Sequence, residues 1–134
     1  MFFKEKCRLK GFEDFHSYQG RCYKYVKSRK TYSEAKEKCN DYSTESIKCT
    51  LVSVQNPDEN IFLTKLGRIA CGWFGCGWQA WIGIEKKKGM AWEDYQGNGK
   101  WADGLNLINT SWTNWDTNEP NSVNTHMLFY KLIQ

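Results

Sequence analysis

The residues best suited to chemistry in this chain of 134 residues are Glu119 and Asn121, which Pro120 separates. A carboxylate and a carboxamide so placed can direct two oxygen atoms at one point where the backbone turns sharply, and proline favours such turns. Calcium takes about six to eight oxygen ligands. The tripeptide therefore predicts two ligands of a calcium site. Asn-Glu-Pro-Asn is also an ordinary turn sequence, so the rest of the chain has to decide between the two interpretations.

The remaining reactive residue types do not form a catalytic or zinc-binding pattern. The two histidines, His16 and His126, have no nucleophile or base at a supporting spacing. None of the six cysteines has the Cys-x2-Cys spacing of a structural zinc site. We expect His126 to be a solvated side chain rather than a metal ligand. The chain is therefore predicted not to be an enzyme.

Disulfides are the better explanation for six cysteines in a chain of this length. Because disulfides persist in oxidising compartments, the cysteines predict an extracellular or secreted protein. Residues 1–7 lack the apolar region of a secretory signal, so we expect the amino end to be incomplete. No apolar run approaches the roughly 18 residues that a membrane-spanning helix needs, so no such segment is expected.

Composition and charge indicate one domain with a core rich in rings. Aromatic residues make up 16% of the chain, with seven each of Trp, Tyr and Phe. The net charge of +4 is small, and we expect no nucleic-acid partner. The run Lys86-Lys87-Lys88 is expected to be a solvated turn rather than a phosphate-binding or heparin-binding patch.

Local signals predict where two helices begin. Residues 22–26 first alternate like a half-buried strand. The capping box Thr31-Tyr-Ser-Glu34 then begins a helix that places Cys39 on its inward face. Asn56 as N-cap and Pro57 at the first helical position begin a second helix.

The second half of the chain is predicted to be strands and a long loop. Gly67 is placed to end the second helix. Residues 50–54 and 80–84 are predicted strands, of which the latter is the more buried. Residues 97–121 are rich in Asn, Asp, Thr, Gly and Trp, which is typical of a loop. Long loops of this kind usually carry function.

In their order and spacing, these features resemble the C-type lectin-like domain over about residues 7–121. The matching residues are Cys7, Gly20-Arg-Cys22-Tyr-Lys-Tyr25, the helix to Cys39, Leu51-Val-Ser-Val54, Glu59-Asn-Ile-Phe-Leu63 with Leu66, Trp81-Ile-Gly-Ile84, Trp101-Ala-Asp-Gly104, Thr113-Asn-Trp115 and Glu119-Pro-Asn121. The resemblance implies an α+β fold in which two helices flank antiparallel strands and a long irregular loop holds calcium and sugar.

The resemblance also implies roles for individual residues. In family members with this tripeptide the proline is cis, and the two flanking side chains bind one calcium ion and adjacent hydroxyls of a mannose-like sugar. Glu119 and Asn121 are accordingly expected to be both metal ligands and carbohydrate contacts. Longer members tie the amino-terminal hairpin with a disulfide, which implies a bond between Cys7 and Cys22.

The chain departs from the family after the tripeptide. No Asp or Glu follows Glu119, and the family's Trp-Asn-Asp motif and last strands are missing. Residues 1–6 are thus expected to be an N-terminal extension, 7–124 an incomplete domain and 125–134 a divergent tail. The apolar part of that tail, residues 127–130, must replace a closing strand or form an exposed edge.

These departures leave two functions open. Two protein oxygens are too few for calcium, and the nearby substitutes are Asp116, Asn118 and Asn124. The complete domain is predicted to bind glycans ending in mannose-like sugars with calcium. The alternative is a lectin-like domain that binds a protein partner or another copy without calcium.

The family's partner for Cys39 is also missing, so Cys39 is expected to be free. Cys49 is then expected to pair with Cys71 or Cys76.

Overall fold

The computed structural model describes residues 7–72, 80–85, 91, 100–105 and 126–128. Within these ranges an antiparallel pair of strands is followed in the chain by two helices and then by a second antiparallel pair. The elements are β1 (His16–Tyr18), β2 (Arg21–Tyr23), α1 (Tyr32–Asn40), α2 (Pro57–Cys71), β3 (Trp81–Glu85) and β4 (His126–Leu128). This arrangement agrees with the α+β class expected from the sequence.

The amino-terminal hairpin is closed by a tight turn and a disulfide. Gln19 and Gly20 both have positive φ, at 47° and 75°, which suits a two-residue hairpin turn. Cys7 and Cys22 form the predicted disulfide, with Cα atoms 5.5 Å apart. Cys7 is buried with Phe12. The regular part of β2 ends at Tyr23, so the strand predicted over residues 22–26 is shorter than expected.

Helix α1 begins at the predicted capping box. Thr31 Oγ1 accepts from the Glu34 amide at 3.3 Å, and the Thr31 amide donates to Glu34 Oε2 at 2.7 Å. Both free backbone donors are therefore satisfied within the first turn. The buried ring of Tyr32 meets Trp81 edge to face at 5.6 Å, which fixes α1 against the start of β3.

Helix α2 begins as predicted but ends later. Asn56 Oδ1 accepts from the Glu59 amide at 2.8 Å, and Pro57 occupies the first helical position. The prediction that Gly67 ends the helix is wrong, because the helix continues to Cys71 and Gly72 is its C-cap. Gly67 lies against the ring of Tyr25, where an added Cβ would stand 3.6 Å from Cε2. This glycine serves close packing rather than termination.

The centre of the domain is β3. Ile82 and Ile84 are buried in it, the latter with no exposed surface. The Gly83 amide donates to the Val52 carbonyl at 2.8 Å. The strand predicted over residues 50–54 is not a regular strand, because this contact with β3 does not extend into a ladder among the described residues.

The cysteine pairing differs from expectation at Cys49. Cys39 and Cys49 are free thiols, the first as predicted, whereas Cys71 is in a disulfide. The predicted pairing of Cys49 with Cys71 or Cys76 is therefore wrong. The Ser43 hydroxyl accepts from the Cys49 amide at 2.9 Å and so holds Cys49 beside the turn that follows α1.

Candidate functional site

The predicted ligands Glu119 and Asn121 lie in residues 106–125, outside the described part of the chain. Pro120 and the substitute oxygen donors Asp116, Asn118 and Asn124 lie there too. Their roles stay predictions. The structure does describe the residues on both sides of this segment, and these flanks show how the segment is attached to the domain.

The flank before the segment is a compact turn at residues 101–105. The Trp101 amide donates to the Leu105 carbonyl at 2.8 Å, and the Gly104 amide donates to the Trp101 carbonyl at 2.9 Å. Gly104 has a φ of 89°, a conformation that glycine adopts without strain. The Trp101 ring is 5% exposed, so it anchors the turn in the core.

Asp103 fastens this turn to the amino-terminal half of the domain. Its Oδ1 accepts from the Leu105 amide at 3.1 Å, while its Oδ2 accepts from the Ser53 hydroxyl. Arg21 Nη1 lies 3.9 Å from the same Oδ2. Gln55 Nε2 donates to Ser53 Oγ at 3.2 Å and extends the network. Asp103 belongs to the motif Trp101-Ala-Asp-Gly104, but the sequence did not indicate this role for it.

The flank after the segment is β4. It pairs antiparallel with β3, with Trp81 opposite Leu128 and Glu85 opposite His126, and the register shifts between these pairs. Residues 126–128 therefore join the sheet, which matches the first of the two alternatives given for the tail. His126, expected to be merely solvated, has its backbone in this strand.

Both flanks are attached to the same strand. The Ala102 amide donates to the Gly83 carbonyl at 2.8 Å, and His126 pairs opposite Glu85. The segment that contains the candidate ligands is thus bounded by two fixed points on β3. Fixed ends reduce the conformational entropy that a loop loses when it binds a ligand.

Gly83 makes this junction possible. A Cβ atom at this position would lie 2.7 Å from the Leu51 carbonyl oxygen and 2.9 Å from the Ala102 Cβ. Real Cβ atoms do not approach backbone this closely, so three chain segments meet here only because the residue is glycine. The sequence predicted the strand over residues 80–84 but did not indicate that position 83 has to be glycine.

Glu59 is the most buried carboxylate of the described region, and its role is structural. It is 5% exposed, and its two oxygens accept from the Tyr23 hydroxyl and the Gln55 amide, both at 2.9 Å. Burial, followed by the charge and hydrogen bond of Glu59, raises the pKa of Tyr23 well above its usual range. Tyr23 therefore stays a neutral phenol that donates its hydrogen bond to Glu59.

The described residues do not include a metal centre, since they hold no group of three or more His, Cys, Asp or Glu side chains that could bind an ion. The carboxylate and carboxamide of Glu119 and Asn121 suit calcium by chemistry, although two donors fall short of the six to eight, roughly, that the ion takes. The described helices also include none that is long and apolar enough to cross a membrane.

Comparison with known proteins gives the family. The family model described as "Lectin C-type domain" matches residues 28–128. This match begins just before α1 and ends with β4, so it includes both flanks and the segment between them. No solved structure matches the chain significantly.

Several curated proteins are similar to the chain. Human versican core protein is 29% identical over 108 residues, which is 81% of this chain and 2% of versican. An alpha-N-acetylgalactosamine-specific lectin of Patiria pectinifera is 30% identical over 106 residues, 78% of this chain and 55% of that lectin. The human low affinity immunoglobulin epsilon Fc receptor is 28% identical over 110 residues, 82% of this chain and 27% of the receptor. The chain thus spans only part of each relative.

The match covers well over half of the chain and agrees with the order of the described elements. The chain therefore belongs to the C-type lectin domain family, whose domains bind carbohydrate and are not enzymes, as the sequence predicted.

Proposed function

We propose that this domain recognises mannose-like sugars through calcium, with Glu119 and Asn121 shared between the ion and the sugar. The observation that carries the proposal is the position of the Glu-Pro-Asn tripeptide. It lies between two flanks anchored on one strand, in a chain of the C-type lectin family. We also propose an extracellular location, which the Cys7–Cys22 disulfide supports.

The two side chains have complementary hydrogen-bonding capacity. The Glu119 carboxylate accepts from a sugar hydroxyl, and the Asn121 amide group donates to the neighbouring hydroxyl. Glu119 and Asn121 would also hold the calcium ion, which would supply a positive charge that attracts sugar oxygens. Such a small contact supports an affinity near millimolar, about −4 kcal/mol, so useful binding depends on several copies acting together.

The proposed preference for mannose-like over galactose-type sugars can be tested directly. Glu-Pro-Asn favours mannose-like sugars by resemblance, whereas the relative from Patiria pectinifera is named for alpha-N-acetylgalactosamine. Galactose-type sugars are therefore the competitor to test. Exchanging the acid and the amide reverses which side of the site donates and which accepts, so the preference should change with the exchange.

The test is retention on mannose resin in millimolar calcium, with release by a chelator. Glu119 and Asn121 supply two of the roughly six to eight oxygens that calcium takes, so the test uses a chain extended with the family's acidic residue and Trp-Asn-Asp ending. In that chain, Glu119→Gln with Asn121→Asp should weaken mannose retention and favour galactose. The matched control exchanges the same groups at exposed positions, Glu45→Gln with Asn40→Asp, and should change nothing.

A protein-binding domain that needs no calcium is the second candidate. One relative is named as a receptor for an immunoglobulin Fc region. An extended chain that ignores both sugars and melts at the same temperature with and without calcium would favour this candidate over the first.

A further inference from the structure

Residues 24–30, here called the basic segment, carry four cations and no acid: Lys24, Lys27, Arg29 and Lys30. The first three are exposed and Lys30 is half-buried. The segment connects the hairpin to α1 and lies outside both described strands of the hairpin. Its charge is far denser than the chain average of +4 over 134 residues.

The segment is held in place by the domain. Near one end the Tyr25 ring lies against Gly67 of α2, and at the other the Lys30 carbonyl accepts from Trp81 Nε1 at 2.8 Å. Between them the Ser28 amide donates to the Val26 carbonyl at 3.0 Å, which forms a tight turn. The cations are thus presented on an ordered backbone, so binding a ligand costs little ordering entropy.

Three of these cations are not neutralised by the described part of the protein. No ion pair within it involves Lys27, Arg29 or Lys30. Glu34 does interact with Lys30, but its carboxylate is committed to the amide and hydroxyl of Thr31 at the start of α1. Lys27 and Arg29 are exposed and have no ion-pair partner among the described residues, and such cations at a fixed position favour an anionic ligand.

The cationic surface continues beyond Lys24. The ammonium groups of Lys24 and Lys38 lie 5.1 and 5.3 Å from the centre of the same ring, that of Tyr42. Lys24 also pairs with Asp14, and Lys38 with Asp41 at 3.9 Å. Because both of these lysines have acidic partners, the net positive charge of the region lies mainly at Lys27, Arg29 and Lys30.

We propose that the basic segment binds sulfated glycans, independently of calcium and of Glu119. Three cations within four residues, Lys27, Arg29 and Lys30, match the closely spaced sulfate groups of a linear polysaccharide better than a neutral sugar, which carries no charge. Arg29 can form bidentate hydrogen bonds with a sulfate, and the lysines supply point charges. Sulfated glycans fit the proposed extracellular location better than nucleic acid, and the site goes beyond the mannose site proposed above.

The test is affinity for immobilised heparin in the presence of a chelator, measured across a salt series. Lys27→Gln with Arg29→Gln should lower affinity by roughly tenfold and reduce the steepness of the salt dependence, because two ionic contacts are lost. Arg8→Gln with Lys10→Gln removes the same charge from exposed positions outside the segment and should have little effect. Melting temperatures of both variants check that folding is unchanged.

Three results would overturn the proposal. One is an equal loss of heparin affinity in the two double variants, which would mean that binding depends only on the net charge of the protein. Another is loss of heparin binding when calcium is removed, which assigns the binding to a calcium site. The third is stronger binding of duplex DNA or of vesicles of anionic lipid than of heparin at the same salt. Because mannose retention needs calcium and heparin binding does not, either proposal can fail without the other.

Discussion

The hydroxyl of Tyr23 donates to Glu59 Oε1 at 2.9 Å and so joins the amino-terminal hairpin to the first turn of α2. Glu59 is buried, and its other oxygen accepts from the Gln55 amide. A buried carboxylate is costly unless its lone pairs are satisfied. The hydrogen bond to Tyr23 therefore has a measurable effect on stability.

Removing this donor should destabilise the domain. Tyr23→Phe leaves one oxygen of a buried carboxylate without its partner, which costs about 1–3 kcal/mol of the free energy of unfolding. Urea denaturation measures this loss. Tyr18→Phe is the control, because no hydrogen bond to the Tyr18 hydroxyl is seen within the described ranges. Equal losses for both variants would contradict the assigned role of the Tyr23–Glu59 bond.

The same pair predicts a dependence on alkaline pH. Burial, and secondarily Glu59, raises the pKa of Tyr23 above its unfolded value of about 10. The folded state therefore holds the phenolic proton more tightly. The stabilisation is complete below that unfolded pKa and is lost as the pH rises above it. Between about pH 8 and 11 the free energy of unfolding should fall more steeply for the parent chain than for Tyr23→Phe. Parallel curves for the two proteins would contradict a raised pKa of Tyr23 in the folded state.

Gly83 should not tolerate a side chain. Gly83→Ala places a methyl group 2.7 Å from the Leu51 carbonyl, and relief requires backbone movement. We expect a loss of stability of roughly 1–3 kcal/mol or more, measured as a lower melting temperature. Gly67→Ala is the comparison, since its methyl group meets Tyr25 at an ordinary 3.6 Å within a helix. A normal melt for Gly83→Ala would be inconsistent with the close approach of these segments.

Cys39 and Cys49 should react slowly with alkylating agents. Burial, and then the neighbouring Cys49, raises the pKa of the Cys39 thiol, and burial raises that of Cys49. Less thiolate is therefore present at neutral pH, and labelling by iodoacetamide should accelerate in urea. Mass mapping without reduction should find both labelled and Cys7 joined to Cys22. Finding Cys49 in a disulfide would contradict the described pairing.

Local interactions account for what the sequence predicted of the fold. The helix starts at Thr31 and Asn56 were predictable, because each depends on residues within one turn. The end of α2 was not predictable, because Gly67 allows close packing against Tyr25 and does not cap the helix. A glycine has the same appearance in a sequence whichever of these roles it has.

Distant contacts account for what the sequence did not predict. Asp103 bonds to Ser53, 50 residues earlier, and no local pattern marks that pairing. Cys49 is a free thiol whose amide donates to Ser43, and the spacing of the cysteines reveals neither fact. For the candidate site, the sequence supplied the tripeptide, and the structure supplied its two attachment points on β3.

The most direct test of the central claim is the melting temperature of the extended chain with and without calcium and mannose. Calcium at ten times its dissociation constant should add about 1.4 kcal/mol of stability, and mannose should raise the melting temperature further only when calcium is present. Glu119→Gln with Asn121→Asp should abolish the mannose increment. A melting temperature that neither calcium nor mannose changes would contradict calcium-dependent sugar recognition by this domain.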